Sequence, residues 1–360
     1  MGSVKDLEWL SPAFANWVGQ ADFRFSDRYS VKDWGEMPDH ILGKGAALAV
    51  MAACNFEQLN EMGIQSHYKG LIVDGKLVNV SDLADGSNGS NIMRVKMAVK
   101  YDPTPITVLD DNHTTKVTYD YSFYEANRGK LDNFLIPLEI IFRNGLPRGS
   151  SVFKRLKEAA GNQAKVTAIL DRFGLKEIPK EGDMLPSPVV EYTTKLEPGD
   201  RSLTADEAYA ISGLKYSQFS QIPGVALIVN DLVTRRAEKA GLSPHWDGKV
   251  EMGFFGGRLG LVDVLGTPDE DRFGSDFSKE LLRQWYDKND PEWVAAIDQY
   301  KPSGKGWQER CPIKPKHLPD ELPELVGQMY RAICNAYVGK EIFPVPSLEV
   351  VIDRLKPYRA

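Results

Sequence analysis

The sequence predicts an α+β fold in two lobes: a small antiparallel N-terminal lobe at 1–135 and a larger lobe of helices and strands at 136–286, with a C-terminal extension at 287–360 packed on the larger lobe. Three observations carry that expectation. Strand-like runs and turn residues dominate the first third of the chain, broken by one stretch of helical periodicity near 43–63. After residue 135, helical stripes and extended runs follow one another. A chain of 360 residues with 42% hydrophobic content can also bury a large core, in two lobes rather than one.

In chain order, Gly2 and Lys5 open a short extended run, where backbone N–H groups and an ammonium can lie along phosphates. Phe23 and Phe25 alternate into a polar loop at 26–35 that holds Asp27, Arg28, Ser30 and Asp33. Gly43-Lys44-Gly45 opens a helix with Leu48, Met51, Ala52, Phe56 and Leu59 as its buried face, and Gly63 ends it. Strands at 67–73 and 76–80 meet at Asp74-Gly75, a hairpin signal. Residues 85–90 read as a loop, and 91–101 and 114–124 as extended, with a turn at 110–112.

Residues 136–142 form a continuous apolar run, hence a buried strand, which delivers Arg143 to a loop. Gly149-Ser150-Ser151 then starts a helix bearing Lys154 and Arg155. A glycine, two hydroxyls and two cations at a helix N-terminus suit an anion site, and a capped surface helix is the competing reading. Residues 183–201 are Pro-rich and read as irregular, and Thr204 with Glu207 forms a capping box. A helix at 217–240 shows Val225, Ile228, Val229, Leu232 and Val233 as its stripe, kinked or restarted at Pro223. A helix at 278–285 carries Lys279 and Arg283. Residues 287–320 read as a loop-rich wrap, followed by helices at 321–338 and 347–355.

Asp247 to Arg272 is the stretch richest in chemistry. Two apolar-alternating runs flank Gly256-Gly257, as in a β-hairpin. A two-residue loop pairs Glu251 with Val262. A three-residue loop at 256–258 sets Glu251 opposite Asp263, with Cβ atoms about 5 Å apart. The second register is the one expected if a cation such as Mg²⁺ lies between the two acids. A solvated hairpin is the competing explanation.

The formal charge of −6 and pI near 5.6 argue against nucleic acid or an anionic membrane as partner, so an anionic substrate needs a local basic cluster. Neither a membrane-spanning apolar run nor a signal core occurs, and Cys54, Cys311 and Cys334 are few and widely spaced. A cytoplasmic protein is expected. The scattered histidines and cysteines argue against a zinc enzyme.

Six blocks, in order, resemble those of the SAICAR synthetase family of purine biosynthesis. They are G-S-V-K-D at 2–6, F-S-D-R-Y-S-V-K-D at 25–33 and G-K-G at 43–45, then P-L-E-I-I-F-R-N…G-S-S-V-F-K-R-L at 137–156. D-G-K-V-E-M-G…V-D-V-L-G-T-P-D-E-D-R at 247–272 and S-K-E-L-L-R-Q-W at 278–285 complete the set. The resemblance implies an N-terminal lobe similar to the small lobe of protein kinases, with ATP held between it and the larger lobe. It also implies a ligase that joins L-aspartate to carboxyaminoimidazole ribonucleotide through an acyl phosphate, giving SAICAR, ADP and phosphate.

By position, the resemblance assigns Glu251 and Asp263 to ATP-bound Mg²⁺, and Gly2, Lys5 and Lys44 to ATP. Arg143, Ser150, Lys154, Arg155, Arg272, Lys279 and Arg283 fall to the ribonucleotide, and Lys5, Asp269 and Arg272 to catalysis. The expected partners are thus small molecules, and a homo-oligomer is compatible with the sequence. Ser3 and Val264 depart from the family pattern, as do an insertion at 97–133 and the tail at 287–360. These departures keep a ligase for another acid or amine as the alternative.

Overall fold

The computed structural model describes residues 5–109, 115–274, 280–301 and 306–358. The first lobe is built on a five-stranded antiparallel sheet of β1 (Lys5–Ser11), β2 (Gly19–Phe25), β3 (Tyr68–Val73), β4 (Lys76–Val78) and β5 (Ile92–Met97), in the order β1-β2-β5-β3-β4. Helix α1 (Lys44–Glu61) packs on this sheet through the predicted apolar face, with Leu48, Met51, Ala52, Phe56 and Leu59 all buried. Asp74 and Gly75 both adopt left-handed φ, as the two-residue turn between β3 and β4 requires.

Strands β6 (Thr104–Leu109) and β7 (Thr115–Asp120) form a separate hairpin, and α2 (Ser122–Ala126) follows. The expected extended run at 114–124 therefore stops at Asp120, and the turn expected at 110–112 lies outside the described residues.

The second sheet is also antiparallel. Its centre is the 14-residue β8 (Asn133–Leu146), after which α3 (Ser151–Glu158) and α4 (Gln163–Arg172) cover one end. Next come β9 (Asp183–Thr194), β10 (Ser202–Leu203), α5 (Ala205–Ile211), α6 (Tyr216–Phe219), α7 (Ile222–Lys239), β11 (His245–Phe255), β12 (Arg258–Val262) and β13 (Arg272–Phe273). The order is β10-β9-β8-β11-β12, with β13 on β11. The segment read as irregular at 183–201 is thus largely strand. Pro186 and Pro188 are tolerated because β10 pairs only with Tyr192 and Thr193, so the prolines sit on an open edge.

The two faces of this sheet differ in chemistry. Ile140, Phe142 and Val250 are buried on the face against α7, which contributes Ala226, Val229, Val233 and Ala237. Ile228, assigned to the stripe by sequence, is 37% exposed. Pro223 restarts the helix at its first turn, leaving α6 separate. The opposite face holds charged residues and is the floor of the candidate site.

Helix α8 (Glu280–Asn289) runs from the larger lobe into the extension, which contains α9 (Pro291–Tyr300), α10 (Trp307–Arg310), α11 (Leu322–Val338) and α12 (Leu348–Leu355). The expected loop-rich wrap at 287–320 therefore includes two helices. It grips the first lobe together with α8: Trp34 lies between Trp293 and Trp307, with ring centroids 5.6 and 5.4 Å away, and the hydroxyls of Tyr29 and of Tyr286 on α8 share a 3.0 Å hydrogen bond. Helix α11 packs against α1, α7 and α12.

Candidate active site

Strand register builds the charged floor. On β8 and β11, Arg143 faces Asp247, Ile141 faces Lys249 and Glu139 faces Glu251, while β9 sets Glu191 beside Ile141 and Thr193 beside Glu139. Residues paired across an antiparallel ladder share a face, so the period of two collects these charges on one side.

At one end, the buried Arg143 donates Nε to Glu191 at 2.7 Å, Nη1 to Asp247 at 2.9 Å and Nη2 to Ser151 Oγ at 3.0 Å. Arg155 makes a two-pronged contact with Glu191, at 2.7 and 3.1 Å. Burial opposes ionisation of Glu191, but the Arg155 and Arg143 guanidinium groups outweigh it and hold its carboxyl below the usual range. Asp247 also accepts from Arg272 Nε at 2.7 Å and pairs with Arg272 Nη2, so one carboxylate bridges two arginines.

At the other end lies a lysine–glutamate cluster. Lys249 Nζ is 3.0 Å from Glu139, 3.5 Å from Glu270 and 3.9 Å from Glu251, and Lys195 Nζ is 2.5 Å from Glu251 and 3.5 Å from Glu139. Burial works against the Lys249 ammonium, yet Glu270, Glu139 and Glu251 together raise its pKa. Lys5 pairs with Asp263, and its Nζ lies 4.8 Å from the Phe23 ring centroid. Burial pushes Lys5 down to about 8, against the pull of Glu270 and Glu251.

The loop from Asp263 to Arg272 closes the site. Asp271 is buried, accepting from His245 Nε2 at 3.0 Å and from the Gly266 amide at 2.8 Å. His245 Nδ1 in turn meets Thr234 Oγ1 at 2.8 Å. Gly248 lies beneath Asp271, where a Cβ would come 2.0 Å from Oδ1. A cavity of about 380 Å³ results, lined among others by Glu139, Arg143, Asp247, Lys249, Glu270 and Arg272.

The hairpin register corrects one expectation. Glu251 pairs with Val262 around the two-residue loop Gly256-Gly257, not with Asp263. Both glycines adopt positive φ, 56° and 84°, as a tight two-residue hairpin turn requires. Asp263 lies one residue past the strand with φ 65°, so strand alternation does not direct its side chain. Both acids act on Lys5: Asp263 pairs with it, and the Glu251 charge favours its ammonium. Among the described residues, no group of three His, Cys, Asp or Glu is placed to hold a metal by itself. Hard carboxylate oxygens that already hold ammonium groups nevertheless fit Mg²⁺, provided phosphate oxygens supply further ligands.

Of the other predicted residues, Ser150 is the buried N-cap of α3, its Oγ accepting from the Val152 amide at 3.4 Å. Lys154 is exposed and lies 3.8 Å from Glu158 on its own helix. Lys44 is buried against Asp269 at 2.7 Å. Arg283 lines the cavity and pairs with Glu280. Gly2 and Lys279 lie outside the described residues.

Sequence reasoning passed over Glu139, Glu191, Lys195, Asp247, Glu270 and His245 as site residues. The signal for Asp247 was its period-two spacing with Lys249 and Glu251. Glu139 was hidden inside an otherwise apolar run.

Fold and site together define a two-lobed α+β protein with a cleft of paired cations and carboxylates, suited to anionic ligands. The sequence pattern of the SAICAR synthetase family matches residues 17–299. A protein of Archaeoglobus fulgidus, provisionally described as a phosphoribosylaminoimidazole-succinocarboxamide synthase, is 41% identical over 99% of both chains. The chain belongs to the SAICAR synthetase family. Two solved structures share its fold. A SAICAR-synthase from Saccharomyces cerevisiae complexed with SAICAR has a TM-score of 0.58 at 18% identity, covering 95% of this chain and 94% of that one. A SAICAR synthetase in complex with ADP has a TM-score of 0.51 at 22% identity, covering 88% and 99%.

Proposed function

We propose that this protein joins L-aspartate to carboxyaminoimidazole ribonucleotide at the expense of ATP, giving SAICAR, ADP and phosphate. The observation that carries the reading is the single polar sheet face, where Arg143, Asp247, Lys249, Glu251 and Glu139 converge in a chain that belongs to this family. The near full-length likeness to the Archaeoglobus relative does not favour a ligase for another acid or amine. Among the described residues no helix is long and apolar enough to cross a membrane, and soluble substrates fit a cytoplasmic setting.

The substrate carboxylate is a poor electrophile, so ATP first converts it to an acyl phosphate, which the aspartate amine attacks with loss of phosphate. Both steps build negative charge on phosphoryl oxygens, and positioned cations are the main source of acceleration. We assign the nucleotide to the side of the first lobe (1–135), where Lys5 would reach its phosphates with Lys195 and Lys249 alongside. Glu251 and Asp263 would hold Mg²⁺, which neutralises phosphate charge when bound. The second lobe (136–286) would take the ribonucleotide, with Arg272 and Arg283 at the cavity wall contacting its anionic groups. Arg143, bound to Glu191, Asp247 and Ser151 through three of its five N–H donors, would hold Asp247 and the start of α3 in place and keep donors at the cavity wall for the ligand's anionic groups.

ADP release from Mg²⁺-ATP tests the reading, with the ribonucleotide and L-aspartate added separately and together. Release that requires both is expected. Release with only another acid–amine pair, or with none, refutes it.

A further inference from the structure

Tyr330 lies on α11, beyond the residues that the family pattern matches. It is buried, and its hydroxyl donates to Asp269 Oδ1 at 2.8 Å. The other oxygen, Oδ2, takes the buried Lys44 ammonium at 2.7 Å. Lys44 also donates to the Arg28 carbonyl at 3.3 Å and lies 5.6 Å from the Tyr330 ring centroid. One phenol therefore meets both members of a buried ion pair, its hydroxyl on the carboxylate and its ring near the ammonium. Such a pair is stable only when further hydrogen bonds complete it. Burial, reinforced by the Asp269 charge, raises the Tyr330 pKa far above the usual value, so the hydroxyl stays a donor.

The seat of α11 beside Lys44 is tight. Gly327, one turn before Tyr330, approaches the Leu42 carbonyl so closely that a Cβ would come 2.5 Å from its oxygen. Asp269 lines the cavity together with Glu270 and Arg272, whereas Tyr330 is not among its lining residues.

We propose that Tyr330 is a positioning residue supplied by the C-terminal extension. Through Asp269 and Lys44 it sets the 268–272 loop, and with it Glu270 and Arg272, from behind the cleft. The inference rests on the ligase reading above.

The test is Tyr330→Phe in the full-length chain, which keeps the ring and removes one donor to Asp269. The expected result is a fall of about tenfold in kcat/KM for the ribonucleotide, in line with losing a hydrogen bond to a charged group. In an Asp269→Asn background the same substitution should cost nothing further, because the hydroxyl acts through that carboxylate. Tyr124→Phe is the control: its ring is buried and its hydroxyl donates to the Tyr101 carbonyl at 2.7 Å, outside the 263–272 loop, so its loss should leave activity unchanged. Thermal melting verifies that every variant is folded at the assay temperature. Parent-like activity of Tyr330→Phe, an undiminished loss in the Asp269→Asn background, or an equal loss in Tyr124→Phe would each overturn the inference. A parent protein that releases no ADP would refute the ligase reading and this inference with it, whereas an active parent with any of the results above would overturn this inference alone.

Discussion

Gly248→Ala isolates one demand of the site. Gly248 sits in β11 without a positive φ, so alanine meets no backbone strain there. In open space the change would stabilise by about 0.4–1 kcal/mol, through the entropy of the unfolded chain. Here the new methyl would lie 2.0 Å from Asp271 Oδ1, 2.6 Å from its Cγ and 2.6 Å from Phe142 Cε2. Asp271 is held by His245 and the Gly266 amide, and Phe142 is fully buried, so neither side gives way freely. Overpacking alone costs about 1–3 kcal/mol. Pushing Asp271 away from its His245 and Gly266 donors costs about 1–3 kcal/mol more, as for a buried polar group left unpaired. A net destabilisation of about 2–4 kcal/mol is expected, opposite in sign to the usual glycine-to-alanine effect. Denaturant titration reads the stability, and turnover at a temperature where the variant is folded reads the loop. Unchanged or increased stability would refute this account of the packing beneath Asp271.

Three further outcomes are expected. Glu251→Gln keeps the side chain's shape but removes its charge, and should lower turnover at least about 100-fold in a folded protein. Near-normal turnover removes Glu251 from the proposed metal site. Arg272→Ala should raise the ribonucleotide KM about tenfold or more while leaving the ATP KM within about twofold; equal effects on both would place Arg272 elsewhere. Glu191→Gln should destabilise at neutral pH, by an amount that shrinks on acidification. The Glu191 carboxyl is held below its ordinary value, so its contribution is present above about pH 4.3 and lost as pH falls through the folded value. Melting temperatures of parent and variant that stay equally far apart down to about pH 2 would refute that assignment.

Much of the site was legible as residue types in short blocks, because strands, turns and caps depend on neighbours a few positions away. Asp74-Gly75, the Thr204–Glu207 capping box and the start of α1 all follow from local chemistry. The register of the 256–257 hairpin was not settled locally, since Gly256-Gly257 admitted two loop lengths. Strand β9 was missed because its prolines argue against a strand until the open edge beside them is known. Helix α9 was missed inside a Pro-rich wrap, although Trp293 and Ile297 bury one of its faces.

The amino-acid sequence alone determined the family and the α+β class, and pointed to the arginines that line the candidate site but to few of its acids. Only the tertiary structure decided how those charges are paired. It ties Arg143 to Glu191 and Asp247, seats Lys195 on Glu251, and brings Tyr330 to Asp269 from 61 residues away. The physical reason is that pairing depends on which strands and helices are neighbours in space. A charge's partner is set by the register of a distant strand or the seat of a distant helix, and no local pattern encodes either.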